Sequence, residues 1–584
     1  MGSLPNLHEL SREKLSSSPV VYRPAVKQTL PAVVASSAAS TSSHKRTRST
    51  GHHHHHAAQL WDNDAMLEHM ATYSPISNRS ARVSAQPWRR RDSMNSSAGA
   101  SSVRRLIAAV RAAPSGPRPP KKAVLRHCAA VMLGHASWSA AALPVFPQSA
   151  GLGVLDPVHG PIYLGLLFSV AAVTSCLAPL VVHKLGSNIT ICIGHLVALV
   201  FVGVHFYPEW YLLVLGYGLL GAWTSPSFLA RSSHVNVSAA NLSLVSADPE
   251  DPDETRRDCI LRRLNRGLKL AEDLGLAFGC LVAYVLIKLT DPSPEPPLAA
   301  SSQLGIEETC GAEYCPLKSY GFSSGTDNAT ASYLLARPTA LPVSTARVVL
   351  SVWLGMAVLA LGVSCAFLDS RLREPQNTLH DRHSLGGLIK LVTGAFQEPM
   401  MQLIAPFTLF VGFEQGFIYS DFTEAYIMCA LGGAGKVALS FLSLGLLQGL
   451  AGATLSMLMR HIKRHYVILV GFAFHACLLL VLLIWKPAED DPALFHVISA
   501  AWGVCNAIWE TLIYTLIMGL FPNSWQGPLA TSLFWRWLGL GLSLGVYGLN
   551  CTRFRVLALA AMLLLSVVPY TWLEIRLAKR GKIS

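Results

Sequence analysis

Long apolar runs separated by short polar segments occupy the chain from about residue 124 to about residue 575. Each run approaches the ~20 mostly apolar residues that a helix needs to cross a hydrocarbon core about 30 Å thick. Because lipid offers no partners to backbone N–H and C=O groups, every span should be helical. The pattern predicts about twelve spans: 124–146, 161–182, 189–207, 210–230, 267–288, 347–368, 400–420, 435–458, 466–485, 493–517, 530–549 and 553–575.

The segments between and around these runs predict how the chain is organised. The first 120 residues are rich in Ser, Ala, Pro, Arg and His and have no sustained apolar period, which is typical of disorder. The linker segment 385–399 is predicted to form an amphipathic helix along the membrane surface. The predicted parts are a disordered basic cytoplasmic tail (1–120), a six-helix half (121–368), a linker (369–399), a second six-helix half (400–576) and a short basic tail (577–584).

Composition indicates a membrane protein, and the distribution of charge argues against nucleic-acid binding. Of the 584 residues, 51% are hydrophobic and 14% charged, which is unusual for a soluble globular chain. The net charge of +13 comes from Lys and Arg in the N-terminal tail and in alternate short loops. That asymmetry follows the positive-inside rule, so both termini are predicted to be cytoplasmic. Insertion into a lipid bilayer therefore explains the positive net charge, and no nucleic-acid partner is predicted.

The long loop 289–346 falls on the opposite, lumenal or extracellular side. It contains "CGAEYC", whose Cys310 and Cys315 are predicted to form a disulfide, and the glycosylation sequon of Asn328. Both modifications belong to the oxidising side of a membrane. Asn550 begins a second sequon on that side, closer to the membrane.

The stretch "LFVGFEQGFIYSDFTEAYIMCALGGAG" at 409–435 carries unusual acid for its apolar surroundings. Asp421 and Glu424 are predicted to cap the seventh span at the lumenal water boundary, because burying charge in lipid is costly. Glu414 and Gln415 lie roughly two turns deeper, where a carboxylate must be paired, protonated or wetted. They are therefore candidates for an intramembrane polar site, with hydration from the lumenal face as the alternative.

Two further charges lie deep in predicted spans. Glu510 and Arg536 fall in the tenth and eleventh spans, and an ion pair between them would offset the cost of burying either alone. The pair would either fix helix packing or take part in gating or proton coupling. Glu272 and Asp273 are placed at the start of the fifth span, where acid complements the helix dipole. His135, alone in an apolar helix, is either a satisfied packing residue or a proton carrier.

Glycines mark two predicted helix-packing faces. Gly412 and Gly416 form a small-xxx-small pair in the seventh span, and Gly445 and Gly449 continue a glycine series through the eighth. Such spacing lets helices approach closely, so the eighth span offers a face for another membrane protein. Neither a P-loop, a catalytic triad nor a dinucleotide motif occurs in a suitable context, and no Cys/His cluster has metal-site spacing. The sequence predicts no enzyme, no cofactor and no metal.

Several motifs together resemble one known family. They are "HKLGSN" after the second span, "GYGLLGAWTSPSFLARSSH" in the fourth, the lumenal "CGAEYC", "GFEQGFIYSDFTEAYI", "AAWGVCNAIWETLIYTLIMGLF" and "LFWRWLGLGLSLG". From about residue 124 onward, the chain resembles the Unc-ninety-three (UNC-93) family, a branch similar to the major facilitator superfamily. The resemblance implies an all-α polytopic fold with about twelve transmembrane helices in two six-helix halves.

The resemblance also sets the functional alternatives. Members of this family are known mainly as regulators: one branch acts with two-pore potassium channels, and another escorts nucleic-acid-sensing Toll-like receptors to endolysosomes. The first expectation is a non-enzymatic membrane regulator, acting as an accessory subunit of a potassium channel at the plasma membrane or an endomembrane. A trafficking chaperone for Toll-like receptors and a secondary transporter working by alternating access are the alternatives.

Overall fold

The computed structural model describes most of the apolar region as helices. Within the described residues there is no β-strand. Almost all of the predicted tail (1–120), the sequon at Asn328 and the first part of the 369–399 linker lie outside the residues that the structure describes. The described residues are 120–148, 160–245, 253–290, 310–315, 341–368 and 385–580, apart from 460, 489 and 523.

Helices lie on both sides of the disulfide-containing segment 310–315. Those before it are α1 (Lys121–Ala142), α2 (Val145–Gln148), α3 (Gly160–Ser175), α4 (Ala178–Leu185), α5 (Ser187–Val204), α6 (Trp210–Val245) and α7 (Asp253–Thr290). Those after it are α8 (Val343–Phe367), α9 (Leu385–Gln397), α10 (Pro399–Leu431), α11 (Ala434–Leu458), α12 (Arg464–Ile484), α13 (Pro492–Leu520), α14 (Gln526–Gly545) and α15 (Thr552–Arg580).

Each predicted span corresponds to a helix or to a bent helix pair. In the described part of the chain, 10 helices are long and apolar enough to cross a membrane, and the pair α3 and α4, bent by 69°, raises the number to 11. The remaining predicted span, 530–549, overlaps α14, which is helical but carries Arg536 and several hydroxyl side chains. The predicted all-helical, multi-spanning fold is confirmed.

Two helices extend well beyond the predicted spans. Helix α6 has 36 residues and α7 has 38, which correspond to about 54 Å and 57 Å at 1.5 Å per residue. Both exceed a hydrocarbon core of about 30 Å. Because α7 begins at Asp253, Glu272 and Asp273 lie about five turns inside it. The prediction that they cap the start of a helix is therefore wrong; the basic segment before them simply continues the helix.

Helix α10 contains the quoted acidic stretch and is wound unevenly. It changes to wider π-helical turns over Ile418–Met428 and ends at Leu431. Gly432 and Gly433 then take positive φ values of 67° and 71°, a backbone conformation that glycine adopts readily and that separates α10 from α11. The buried aromatic core around this helix includes Phe407, Phe410, Phe417, Trp502, Trp509 and Tyr570.

Helix packing determines where the predicted glycines lie. A Cβ at Gly412 would overlap the backbone carbonyl of Arg536, and one at Gly416 would meet the side chain of Ser543, so α10 and α14 are in backbone contact. Gly445 and Gly449 of α11 lie against Asp273 and its neighbours on α7. The second glycine face is therefore covered by a helix of the same chain. The prediction that it is free to bind another membrane protein is wrong.

Candidate functional site: a charged cavity and two buried polar centres

A cavity of about 320 Å³ lies where α1, α6 and α7 face α10, α11, α13 and α14. Volumes of this size are typical of the smaller ligand pockets. Its lining contains an unusual density of charge for the interior of a membrane protein. The charged lining residues are Arg231, Asp258, Arg262, Arg266, Lys269, Glu272, Asp273, Arg464, Glu510 and Arg536.

Lys269 joins the acidic groups of this cavity. Its Nζ lies 2.8 Å from Oε2 of Glu510 on the opposite wall, 3.0 Å from Oδ1 of Asp273 and 3.2 Å from Oε1 of Glu272. The last two acids are one turn further along α7, at i+3 and i+4, so the helix itself brings them to the ammonium. The other Glu272 oxygen lies 3.2 Å from Nε2 of His135 on α1. One lysine thus holds three carboxylates on two walls of the cavity.

Three of the four predicted polar-site residues meet on the opposite wall. Arg536 Nη2 donates to Oε1 of Glu510 and, at 3.1 Å, to Oε1 of Gln415. The Gln415 amide donates in turn to Oε1 of Glu510 at 3.0 Å. The Arg536 guanidinium also lies 5.2 Å from the ring centre of Trp537. The structure therefore places Gln415, Glu510 and Arg536 in one connected network.

A chain of amides continues the network across the cavity. The Gln448 side chain on α11 donates to Oδ1 of Asp273 at 2.8 Å and accepts from Asn506 of α13 at 3.3 Å. Asp273 is 2% exposed. Buried charges are tolerated in proteins when they are ion-paired and hydrogen-bonded. The Asp273 carboxylate has Lys269 as its ion-pair partner and the Gln448 amide as its hydrogen-bond donor. Helices α7, α11 and α13 are thereby joined by polar contacts at the same depth.

Glu414 does not belong to this network. Consecutive helix positions differ by about 100°, so Gln415 faces Glu510 and Arg536 while Glu414 faces the aromatic core. There it is fully buried, with one carboxylate oxygen 3.2 Å from Nε2 of His475. Trp509 Nε1 donates to Nδ1 of the same imidazole at 2.9 Å. Because Nδ1 accepts a hydrogen bond, the neutral ring carries its proton on Nε2, facing Glu414. The predicted four-residue site is thus two separate centres.

The segment from Cys310 to Cys315, which we call the disulfide cap, corrects the predicted cysteine pairing. Cys310 is bonded to Cys429 at the end of α10, and Cys315 to Cys551 just before α15. The predicted Cys310–Cys315 bond is not formed, because a 3-10 turn at Gly311–Glu313 lies between them and each cysteine meets a different helix end.

Other contacts hold the disulfide cap in place. Gly311 has φ +84° and packs against Pro487, in the loop between α12 and α13. The backbone N–H of Thr552 donates to the carbonyl of Tyr314 at 2.9 Å, and Arg553 lies 2.9 Å from Glu313. Asn550, whose glycosylation was predicted, is exposed, but the two residues that follow it in the sequon are disulfide-bonded Cys551 and buried Thr552.

The cap also explains the position of two acids in the quoted stretch. Asp421 and Glu424 are 1% and 4% exposed, so the prediction that they meet water at a helix end is wrong. Asp421 lies 2.8 Å from Nη1 of Arg555 on α15, and Glu424 accepts a hydrogen bond from the Tyr314 hydroxyl at 3.0 Å. Partners supplied by a distant loop and by the last helix satisfy both carboxylates.

Sequence reasoning missed three residues of these centres. The sequence did contain a signal for Lys269, because "KLAED" places it one turn before two acids. It was missed because the fifth span was expected to begin near this residue. Arg231 lies within the motif "GYGLLGAWTSPSFLARSSH" and was not singled out there. In the structure it is only 5% exposed and lines the cavity. His475 stands alone in an apolar helix and has no local partner in the sequence. Only tertiary packing brings it to Glu414.

Comparisons with known proteins agree with the predicted family. A family model described as "Ion channel regulatory protein UNC-93" matches residues 328–536. The chain is 25% identical to Protein unc-93 homolog A of Xenopus laevis over 429 residues, covering 73% of this chain and 86% of the relative. It is 22% identical over 241 residues to "Putative potassium channel regulatory protein unc-93" of Caenorhabditis elegans, covering 41% and 34%.

The fold is also similar to solved structures of transporters. A variant of the nucleoside transporter NupG gives a TM-score of 0.48 at 10% sequence identity, covering 77% of this chain and 99% of NupG. The sequence relatives confirm the resemblance to the UNC-93 family that the motifs predicted.

Proposed function

From the resemblance of this chain to the UNC-93 family, we propose that it is a non-enzymatic, multi-pass membrane regulator and acts as an accessory subunit of a potassium channel. The observation that carries the proposal is similarity at 25% identity over 73% of the chain to an unc-93 homologue. A relative named as a potassium channel regulatory protein, and a matching family described as ion channel regulatory, point to the same class of partner.

The surface available to such a channel is the lipid-facing side of the outer helices. On α12, large apolar side chains such as Leu469, Val470 and Ile484 are between 62% and 69% exposed. Helices in lipid associate through van der Waals contacts and interhelical hydrogen bonds. Gly445 and Gly449 of α11 do not contribute, since α7 covers them.

The test is co-expression with two-pore potassium channels in cells that lack both proteins. We expect the full chain to co-purify with one of these channels and to change its potassium current at equal surface expression. A multi-span protein of similar size from another family is the control. Absence of both co-purification and a current change, with both proteins in the same membrane, would reject the channel role.

A trafficking role for Toll-like receptors is the alternative regulator function. It predicts that depletion of this protein retains nucleic-acid-sensing receptors in the endoplasmic reticulum. Measuring the receptors' endolysosomal fraction, with potassium current recorded in the same cells, separates the two regulator functions.

A secondary transporter is the second candidate, favoured by the charged cavity of about 320 Å³. In reconstituted vesicles, transport should disappear in Arg536→Ala, because Arg536 belongs to the cavity network. Glu414→Gln should reduce it only if the separate Glu414–His475 centre is coupled to the cavity. Folded variants that lose no measurable flux would exclude this candidate for the solutes tested.

We further propose that both termini are cytoplasmic and that the disulfide cap faces the lumen or the cell exterior. Its two disulfides, which belong to an oxidising compartment, support this orientation. A glycosidase mobility shift that Asn328→Gln removes would agree with it. A shift that only Asn550→Gln removes would place the glycan at the second sequon. The N-terminal tail contains sequons at Asn78 and Asn95, and glycosylation of either would contradict the orientation.

A further inference from the structure

The cavity contains cationic side chains that the chain itself does not neutralise. Six cationic and four acidic residues line it. Lys269 and Arg536 pair with the cavity acids, and Arg464 lies 3.7 Å from Glu574. Among the described residues, Arg231, Arg262 and Arg266 have no ion-pair partner within 4.0 Å, and only Asp258 remains as an unpaired acid in the lining.

Arg231 is the most deeply placed of the three arginines. It is 5% exposed and lies on the cavity wall. Its guanidinium carbon stands 5.4 Å from the ring centre of Trp138 and 6.0 Å from that of Phe228. Both rings lie within cation–π distance of the guanidinium, and neither offers an acceptor oxygen to its five N–H donors. Within the described part of the chain, no acceptor hydrogen-bonds to those donors, although Glu272 acts on the charge at longer range.

A buried guanidinium without acceptors is costly unless something satisfies it. Its rigid fork matches the paired oxygens of a carboxylate or phosphate better than a lysine would. Arg231 therefore has the geometry of a receptor for an oxyanion.

The other two of the three arginines are on α7 and are more exposed than Arg231. Arg262, Arg266 and Lys269 follow one another at i+4 and i+3 on α7, so they share the helix face that lines the cavity. Arg262 is exposed and Arg266 half-buried, with a buried Nε that has no partner in the described residues. Such a basic stripe concentrates anions and guides them inward.

Apolar side chains occupy much of the rest of the lining, among them Val411, Ile513 and Leu533. We propose that the cavity binds an organic anion with an apolar body, whose carboxylate or phosphate group accepts hydrogen bonds from Arg231. The ligand is either a free amphiphilic acid or the headgroup of an anionic lipid. The site would regulate this protein whichever membrane partner it has, so the inference does not depend on the potassium channel proposal.

The test uses the full chain purified in a neutral detergent. Sodium decanoate is the free-acid probe, with decanol and decyltrimethylammonium as controls for chain and charge. Dioctanoyl phosphatidic acid is the lipid probe, with dioctanoyl phosphatidylcholine as its control. We expect a saturable rise in melting temperature with one of the two anions and with neither kind of control; which anion acts identifies the source.

Variants locate the site. Arg231→Gln should weaken the apparent Kd of the active probe about tenfold or more, the loss expected for a charged hydrogen bond. Arg576→Gln is the matched control, because Arg576 also stacks on a tryptophan, at 4.8 Å, but lies outside the cavity. Stabilisation equal to that by the controls, or a Kd unchanged in Arg231→Gln, would overturn the proposal.

A second measurement serves if Arg231→Gln does not fold. The bromine of a brominated form of the active probe should quench Trp138, which lies beneath the receptor arginine. Trp138→Phe keeps an aromatic ring at that position and should lose this component of the quenching. Quenching that is the same in the wild type and in Trp138→Phe would also overturn the proposal.

Discussion

Lys269 of α7 and Glu510 of α13 face each other across the cavity, with 2.8 Å between Nζ and Oε2. The contact joins a helix that precedes the disulfide cap to one that follows it. Because Glu510 also binds Arg536 and Gln415 on its own side, the lysine connects two polar networks that would otherwise be separate. Any movement that separates these walls must break this contact, after which Glu510 keeps Arg536 and Lys269 keeps Glu272 and Asp273.

Removal of this lysine should destabilise the protein. Lys269→Gln leaves Glu272 and Asp273 without their shared cation, and unpaired buried charge is the costly outcome. Because Lys269 is 31% exposed, solvent reduces the penalty, and we expect a loss of ~1–3 kcal/mol in unfolding free energy. The measurement is thermal unfolding in detergent. Lys288→Gln, an exposed lysine further along α7, should leave the melting temperature nearly unchanged.

A double-mutant cycle then isolates the pair. Combining Lys269→Gln with Glu510→Gln should cost less than the two single changes together, with a coupling of ~0.5–3 kcal/mol. Strictly additive effects would mean that the two residues do not interact in solution.

The Glu414–His475 centre makes a different prediction. In Glu414→Gln the amide oxygen can take the place of the carboxyl oxygen that lies 3.2 Å from His475 Nε2, so the melting temperature should change little. Glu414→Leu is similar in volume but removes the polar group that faces this buried nitrogen, which should cost ~1–3 kcal/mol. Thermal unfolding of the two variants side by side checks this. Equal stability of both would show that the contact with His475 contributes nothing.

The sequence predicted the helices well because apolar run length is a local property. The same runs predicted the depth of Glu510 and Arg536, which meet each other in the structure. The partners of Asp421 and Glu424 could not be predicted, since Arg555 and Tyr314 lie far away along the chain. The fifth span was misjudged because the charged segment before it, which suggested a loop, belongs to the same continuous helix of 38 residues.

The cap disulfides predict a specific peptide map. Chymotryptic cleavage after Tyr314 separates the two bonds, so non-reducing digestion should yield one peptide pair containing Cys310 and Cys429 and another containing Cys315 and Cys551. Mass spectrometry of the full chain reads this directly. A fragment in which Cys310 is joined to Cys315 would contradict the structure.

Loss of one cap bond should also lower stability. Cys310→Ser opens a link between residues 119 positions apart, and closing long loops typically contributes ~2–5 kcal/mol. Cys365→Ser removes a free, exposed cysteine and should have little effect on the melting temperature under the same conditions. If the two variants unfold at the same temperature, the cap does not stabilise the helix ends it joins.

The contact between α10 and α14 gives the sharpest packing test. In Gly412→Ala the new methyl group would overlap the Arg536 carbonyl, and backbone cannot give way as a flexible side chain does. The helices must separate, which should cost ~1–3 kcal/mol and disturb Gln415 and Arg536 beside it. Gly362→Ala in α8 is the control, since nothing lies within 4 Å of its new Cβ. Alanine there should be neutral or stabilise by about 0.5–1 kcal/mol, because a helical glycine is intrinsically unfavourable. Melting temperatures that fall equally in the two variants, or only in Gly362→Ala, would contradict the close approach of α10 and α14.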